Sequence, residues 1–308
     1  MLDVLNTVNE ELLVFSDALP EWLRVVMVCL IAVVLGSYSN SVIYRTPLKL
    51  MAQFEQYLVD NFDVKKEKCG HLVQWEAFSK GGARSQCTSC GDLIRSYDNI
   101  PILSYILLMG RCRSCGDKFS LRYVVVEALV MGLGVASFLV LFDATFSVAF
   151  MVFIAIILSC VFIAFIDLST RTISDFHSNA YVFLTVTFFV ISPIGNYIEL
   201  KDFVEVCAYL VGIHLLVNVP LAKIKGIDTA IGEGDVMLLV VGAALCSAMA
   251  KFLVVYPLPS VFSFYLLGIG GLGLGTAVFY RGRDSEIPAA PSILLINGGM
   301  LSFLVLAA

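Results

Sequence analysis

The sequence predicts an all-α polytopic membrane protein of about eight transmembrane helices, with a polar insert after the first. Three observations predict it. Of 308 residues, 59% are hydrophobic and only 15% charged, where a soluble domain carries about 25% charged residues. Apolar stretches long enough to cross a bilayer, about 20 residues at 1.5 Å each, recur along the chain. The basic residues are gathered in alternate connections, as the positive-inside rule expects of a multi-pass protein.

Taken in order, residues 1–21 form a short acidic segment. It carries Glu10, Glu11, Asp17 and Glu21 where a cleavable signal peptide would begin with basic residues. Residues 22–44 are the first span. Residues 45–122 are polar and carry eight acidic against twelve basic residues; they read as a separate insert. Residues 123–308 are apolar runs and short loops, giving seven further spans at 123–142, 147–166, 177–196, 203–222, 236–256, 260–280 and 289–308. In lipid these must be helices, because an unpaired backbone amide finds no water there. With the insert inside, 17 of the 20 basic residues fall in cytoplasmic loops and only Arg24, Lys201 and Lys251 fall outside. Both termini, including 1–21, are then extracytoplasmic, and the membrane is a cytoplasmic (inner) one.

Nine cysteines are present. Cys29, Cys160, Cys207 and Cys246 lie in spans and read as packing, since buried cysteine behaves as a small hydrophobe. Cys69 stands apart in the insert. The other four form QCTSCGD (Cys87, Cys90) and RCRSCGD (Cys112, Cys115). Two CxxC knuckles complete a tetrahedral cage, and the pattern points to a structural zinc site. Iron in the same cage is the minor alternative. Disulfides fit poorly with a reducing cytoplasmic loop.

Ionisable residues at membrane depth are costly and point to function. Glu127, Asp167, His214 and Asp235 are such residues, with Asp175 following in the loop after Asp167. Asp167 ends the third span and Asp235 begins the sixth, so two spans deliver a carboxylate to the same cytoplasmic boundary. A carboxylate pair sharing a proton is the apparatus of an aspartyl protease, one acting as base towards water and the other as acid. Gly232 and Gly234 around Asp235 allow close backbone approach. Two alternatives stay open: each Asp is an ordinary helix cap, or the pair holds Mg²⁺. GIGGLG (Gly268 to Gly273) lies in an apolar span with no strand before it. It reads as helix packing through Gly271 and Gly275 rather than as a nucleotide site. No feature points to nucleic acid. Arg171 reads as a topology anchor in the inside loop.

The combination resembles the type IV prepilin peptidases, GxGD membrane aspartyl proteases that are bifunctional leader peptidases and N-methyltransferases of pilus and type II secretion systems. GSYSNSVIYRTP (Gly36 to Pro47) is similar to the family's opening span. Cys87 to Val130, with both knuckles, the Asn-Ile-Pro between them and the Arg-Tyr and Glu after them, is similar to its zinc loop. FIDLSTRTISD and GEGD align Asp167 and Asp235 with the family's catalytic aspartates, supported by Gly232, Gly234 and Asp175. The resemblance implies cleavage of the basic leader of prepilins and pseudopilins at the cytoplasmic face. The new N-terminal residue, usually Phe, is then methylated from S-adenosylmethionine. It associates the methyltransferase role with the insert, and Arg122, Tyr123 and Glu127 are carried over for it. Its partners are prepilin precursors and the pilus or secretion assembly machinery. The chain departs from the family pattern at Ser174, Met237 and Val124, where Pro, Lys and Pro are usual, and is identified as a divergent member. The competing reading is a weakened or non-enzymatic membrane scaffold with a zinc docking module. A transporter fits less well, because the carboxylates sit at the membrane edge rather than mid-span.

Overall fold

The computed structural model describes residues 2–62, 64–80, 84–170, 173–192, 200–213, 233–253, 261, 265–269 and 290–307. Among these, ten helices can be followed: α1 (Leu2–Asp17), α2 (Glu21–Phe62), α3 (Gly70–Lys80), α4 (Leu103–Leu107), α5 (Arg122–Val140), α6 (Val148–Thr170), α7 (Asp175–Ile191), α8 (Leu200–Ile213), α9 (Glu233–Leu253) and α10 (Ala290–Ala307). The described residues contain no strand, only two isolated β-bridges in the insert. Among the described residues three helices, α2, α5 and α6, are long and apolar enough to cross a membrane, and α10 contributes a shorter apolar stretch, Ala290–Leu306.

The chain divides into two compact units, one of Met1–Arg24 with Ala136–Ala308 and one of Val25–Val135. In the first unit α6 and α7 pack along each other, α10 packs on α6 and α9, and α9 also packs on α7 and α8. Four residues join α6 to α7, too few for anything but antiparallel neighbours. The core is apolar, with Phe153 and Ile163 of α6, Phe188 of α7, Leu245 of α9 and Leu301 of α10 all buried.

A side-chain amide sits within this core. Asn297 of α10, wholly buried, donates through Nδ2 to the Leu238 carbonyl of α9 (3.0 Å) and to Tyr181 Oη of α7 (3.3 Å). Its Oδ1 accepts from Tyr265 Oη at 3.0 Å. An unsatisfied amide in an apolar core is costly; here each polar atom has a partner, and three helices are pinned at one level. Far from that level, α1 lies against the start of α6. The Phe146 amide donates to Ser16 Oγ and the Val148 amide to Asn9 Oδ1, both at 3.0 Å. α1 thus supplies acceptors to the orphan donors at a helix start.

In the second unit α2 runs well beyond residue 44, where the apolar pattern ends. Pro47 lies inside it and removes one ladder bond. Tertiary packing carries the helix on: Ala52 is buried against Cys69 and Leu72, with Val59 and Trp75 around them. Glu55 then fixes the start of α3, accepting from the Leu72 amide (2.7 Å) and meeting His71 Nδ1 (2.7 Å). α2 also touches α5 closely. A Cβ on Gly36 would stand 3.1 Å from Glu127 Cα, so glycine here lets the two backbones approach without one giving way. One turn on, Asn40 Nδ2 donates to the Tyr123 carbonyl (2.9 Å) and to Glu127 Oε1 (3.2 Å).

Candidate functional site

The two cysteine knuckles are folded alike. The Cys87 amide donates to the Asp92 carbonyl and the Gly91 amide to the Cys87 carbonyl, each at 2.9 Å; Cys112, Asp117 and Gly116 repeat the pattern at 2.8 and 2.9 Å. Gly91 and Gly116 have φ of 77° and 76°, a left-handed turn that only glycine takes without cost. Each turn is closed by a bridge, Gln86 with Leu93 and Arg111 with Lys118. The result brings all four sulfur atoms within 4.8 Å of one another. Thiolates ~2.3 Å from a tetrahedral metal lie ~3.8 Å apart, and Cys87 Sγ and Cys115 Sγ are 3.8 Å apart. The cluster could therefore hold a metal ion. The amides of Cys115 and Ser114 lower the Cys112 thiol to about 7 despite lost hydration. The Asp117 amide favours the Cys115 thiolate, but lost hydration and the neighbouring thiols outweigh it and push Cys115 up to about 12. Four thiols this close resist full ionisation unless a cation joins them.

Between the knuckles the chain is held by polar pairs. Arg113 grips Asp98 with two bonds, 2.8 and 2.7 Å. Ser104 Oγ accepts from the Ile100 amide and donates to the Tyr97 carbonyl. Ile102 has φ 61° and ψ −51°, and the Leu103 amide reaches back to the Pro101 carbonyl. This is the strained hand of the γ-turn, and a positive φ is uncommon for a β-branched residue. The turn directs the Ile102 amide at Glu127 Oε2, 2.7 Å away. Around it opens a pocket with a volume of about 860 Å³, solvent at its mouth included, lined among others by Asn40, Tyr44, Ile102, Tyr105, Tyr123 and Glu127.

The aspartates belong to the first unit. Asp167, 4% exposed, lies in the last turn of α6 and accepts from the Ala290 amide, the first residue of α10, at 3.2 Å. The amino end of α10 therefore meets the carboxyl end of α6, where α7 also begins. Asn297 and Tyr181 meet about two turns into their helices, and Leu238 joins them one turn past Asp235. Further along, Leu245 and Ala248 of α9 share a core with Leu301 and Leu304 of α10. α9 thus runs with α10, and Asp235 in its first turn lies at the same end of the group as Asp167. Asp235 is half-buried.

Asp175 opens α7. Gly234 lies in the first turn of α9, while Gly232, Arg171 and His214 fall outside the described residues, as does the side chain of Met237. Tyr123 and Glu127 line the pocket. Arg122 stands beside it with its guanidinium 5.5 Å from the Tyr123 ring centre. Sequence reasoning passed over Asn40, Asn297 and His177. His177, in the first turn of α7, is buried against Phe162 and Phe176, and its Nδ1 has no hydrogen-bond partner among the described residues. For Asn297 the signal is a polar residue at the end of an apolar run; Asn40 and His177 stand among other polar residues, and no local pattern marks them.

Residues 30–141 match the family model of the bacterial peptidase A24 N-terminal domain. This span contains the pocket and both knuckles. The chain is 28% identical over 263 residues to a Pseudomonas putida protein named prepilin leader peptidase/N-methyltransferase, covering 82% of this chain and 85% of that one. It is 27% identical over 290 residues to a Legionella pneumophila protein of the same name, covering 92% of each.

Over most of its length the chain is similar to the prepilin leader peptidase/N-methyltransferases.

Higher identity is found over shorter stretches. A Vibrio cholerae serotype O1 member is 36% identical over 107 residues, 35% of this chain and 34% of its own length. A Dichelobacter nodosus member is 33% identical over 123 residues, 43% of its length. No solved structure matches the chain.

Proposed function

We propose that this chain is a membrane aspartyl endopeptidase that removes the basic leader of prepilins and pseudopilins at the cytoplasmic face and then N-methylates the new N-terminal residue. One observation carries the peptidase reading: Asp167 and Asp235, from helices far apart in sequence, stand at one end of the group formed by α6, α7, α9 and α10. One carboxylate takes a proton from water as it attacks the scissile carbonyl; the other donates to the oxygen or the departing amine. Asp175, Gly232 and Gly234 support the centre, the glycines by letting substrate backbone approach. A prepilin, with a basic leader in the cytoplasm followed by an apolar helix, would present its cleavage point at this depth. The family relatives are named for both activities.

The reading includes eight membrane crossings, with termini outside and the insert inside, in the cytoplasmic membrane of a bacterium. Zinc occupies the Cys87, Cys90, Cys112 and Cys115 cage as a structural ion and holds the two knuckles together. Methyl transfer belongs to the second unit, where Arg122, Tyr123 and Glu127 sit at or beside the pocket. S-adenosylmethionine supplies the methyl group when bound, and the pocket has an aromatic and carboxylate lining to hold it. The chain's own groups position the acceptor and exclude water.

The test is prepilin cleavage in a strain lacking the enzyme, with Asp167→Asn and Asp235→Asn. Each should abolish processing. Wild-type cleavage by both variants removes the dyad; failure of the unaltered chain on every co-encoded pilin favours the scaffold reading.

A further inference from the structure

Between the two knuckles the polar insert carries an apolar run, PILSYILLM (Pro101 to Met109). Its middle is α4, and the two sides of the run differ. Ser104 is buried and hydrogen-bonded, and Tyr105 and Leu108 line the pocket. Leu103, Ile106, Leu107 and Met109 are between 48% and 85% exposed. Large apolar side chains exposed this close together mark a surface that meets lipid or protein.

Depth decides between the two. α5 has 19 residues, a length of about 28 Å, and an apolar helix of that length fills a hydrocarbon core of about 30 Å only by lying wholly within it. Arg122 then stands at the boundary, and Glu127 lies about 7–8 Å further in. α4 starts at that level, because the Ile102 amide is bonded to Glu127 Oε2. An amphipathic segment in a membrane interface buries its apolar face about 5–10 Å deep.

The backbone suits that place. Lipid offers no partner to an open amide. The Ile100 amide donates to Ser104 Oγ and the Ile102 amide to Glu127; those of Ser104, Ile106, Leu108 and Gly110 donate to carbonyls four or five residues back. Cations follow directly. Arg111 comes two residues after Met109 and is paired with Lys118 across an antiparallel bridge, which sets both side chains on one side of the ribbon. Both are exposed. From Arg111 to Arg122 there are four basic residues against one acid, Asp117; of the four, Arg113 is engaged by Asp98. Basic residues at the membrane surface attract anionic lipid.

We propose that α4 is an interfacial anchor: Leu103, Ile106, Leu107 and Met109 enter the leaflet that α5 crosses at Arg122, and Arg111 and Lys118 meet anionic headgroups there. The inference rests on the membrane crossing of α5 read above. It fixes the knuckles against the bilayer at a third point, after α2 and α5.

The experiment is tryptophan quenching in nanodiscs by phospholipid brominated along its acyl chains, on the full chain with Trp22→Phe and Trp75→Phe. One reporter is added at a time: Leu107→Trp, Ile106→Trp as a second reporter on α4, Leu133→Trp in the middle of α5, and Phe62→Trp at the end of α2. All four positions are exposed, so little packing is lost, and each variant should keep the metal content of the wild type. Phe62 lies about 27 Å past the end of the apolar stretch of α2. Leu107→Trp should lose most of its emission to the bromines, as Leu133→Trp does, while Phe62→Trp keeps it. Brominated phosphatidylglycerol should quench Leu107→Trp more than the same fraction of brominated phosphatidylcholine, and Arg111→Gln with Lys118→Gln should level the two.

The anchor is overturned if both α4 reporters are quenched no more than Phe62→Trp while Leu133→Trp is quenched. Blue-shifted emission without quenching assigns the face to a protein partner and overturns it equally. Equal quenching of Leu107→Trp by the two lipids overturns the assignment to anionic headgroups. An unquenched Leu133→Trp overturns the crossing of α5 instead, which separates the failure of that reading from the failure of the anchor.

Discussion

Replacing Gly242 by alanine tests whether the Asn297 junction organises the peptidase end of the protein. A Cβ at this position would stand 1.9 Å from Tyr265 Oη, 2.3 Å from Tyr265 Cζ and 3.0 Å from Asn297 Oδ1. Tyr265 is 3% exposed, so its ring has little room to retreat. Overpacking of this kind costs ~1–3 kcal/mol. The displaced ring also loses its hydrogen bond to Asn297, worth ~0.6 and at most ~1.7 kcal/mol inside a membrane. Together the variant should lose about 2–4 kcal/mol. The assay is unfolding of the purified chain by SDS in mixed micelles, with prepilin cleavage measured alongside, since Leu238 holds the turn next to Asp235. Gly298→Ala is the control: no atom lies within 4 Å of a Cβ there, and alanine is the better helix former by ~1 kcal/mol. An unchanged unfolding midpoint for Gly242→Ala, or an equal loss in both variants, would refute the reasoning. Tyr265→Phe removes the nearest atom but not Cζ, so in the alanine background it should rescue only part of the loss.

Other outcomes follow from the second unit. Gly91→Ala and Gly116→Ala force alanine into the left-handed region at a cost of roughly 1–2 kcal/mol each; both should release metal to a competing chelator sooner than wild type, and by similar factors, while Gly70→Ala should not. Gly36→Ala should push α2 away from α5 and destabilise the chain by ~1–3 kcal/mol, seen as a lower thermal midpoint. Asp98 is held below the usual carboxylate range, first by its bonds to Arg113. A depressed folded pKa stabilises above the unfolded value of ~3.9 and is lost as pH falls further. Melting curves of wild type and Asp98→Asn should therefore differ above that value and converge as pH drops below it, whereas curves that already coincide near neutral pH would show that the pair does not matter.

The sequence made some of this legible for physical reasons. Apolar runs mark helices because lipid permits nothing else, and CxxCGD repeated 25 residues on marks two equal turns because a thiolate cage demands them. Periodicity has nothing to say about contacts between distant segments. The Ala290 amide meets Asp167 across 123 positions, and no local pattern carries that pairing. α2 overran its apolar stretch because Ala52 finds Cys69 and Leu72, a tertiary contact. Asn297 sits in an INGG run that reads as the tail of a span, and its three partners come from elsewhere. Pro101-Ile102-Leu103 reads as plain apolar chain, and its strained turn makes sense only once Glu127 is beside it. Gly271 and Gly275, which the sequence marks as packing residues, lie outside the described residues; Gly242, flanked by ordinary apolar residues, is a place where an added side chain would meet Tyr265.

The two chemistries proposed here fall in different compact units, and that division predicts separable lesions. Asp167 and Asp235 belong to the unit of Met1–Arg24 and Ala136–Ala308, and the cysteines and the pocket to Val25–Val135. Each active group is fixed by contacts within its own unit: Asp167 by Ala290 and the turn of Asp235 by Asn297 in one, Glu127 by Asn40 and Ile102 in the other. Groups that share no partner couple little in energy. Asp235→Asn should then abolish cleavage while leaving metal content and any ligand binding by the pocket unchanged. Tyr105→Ala, which empties part of the pocket without touching a thiol, should suppress methylation and leave cleaved, unmethylated pilin. The exception is built into the chain, because α2 and α5 each cross the boundary between the units. A proline placed in either crossing, such as Val135→Pro, breaks a helix that both units share at a cost of ~3 kcal/mol and should damage both activities. If Tyr105→Ala stops cleavage as completely as Asp235→Asn does, the units do not act as separate sites and the division is one of packing alone.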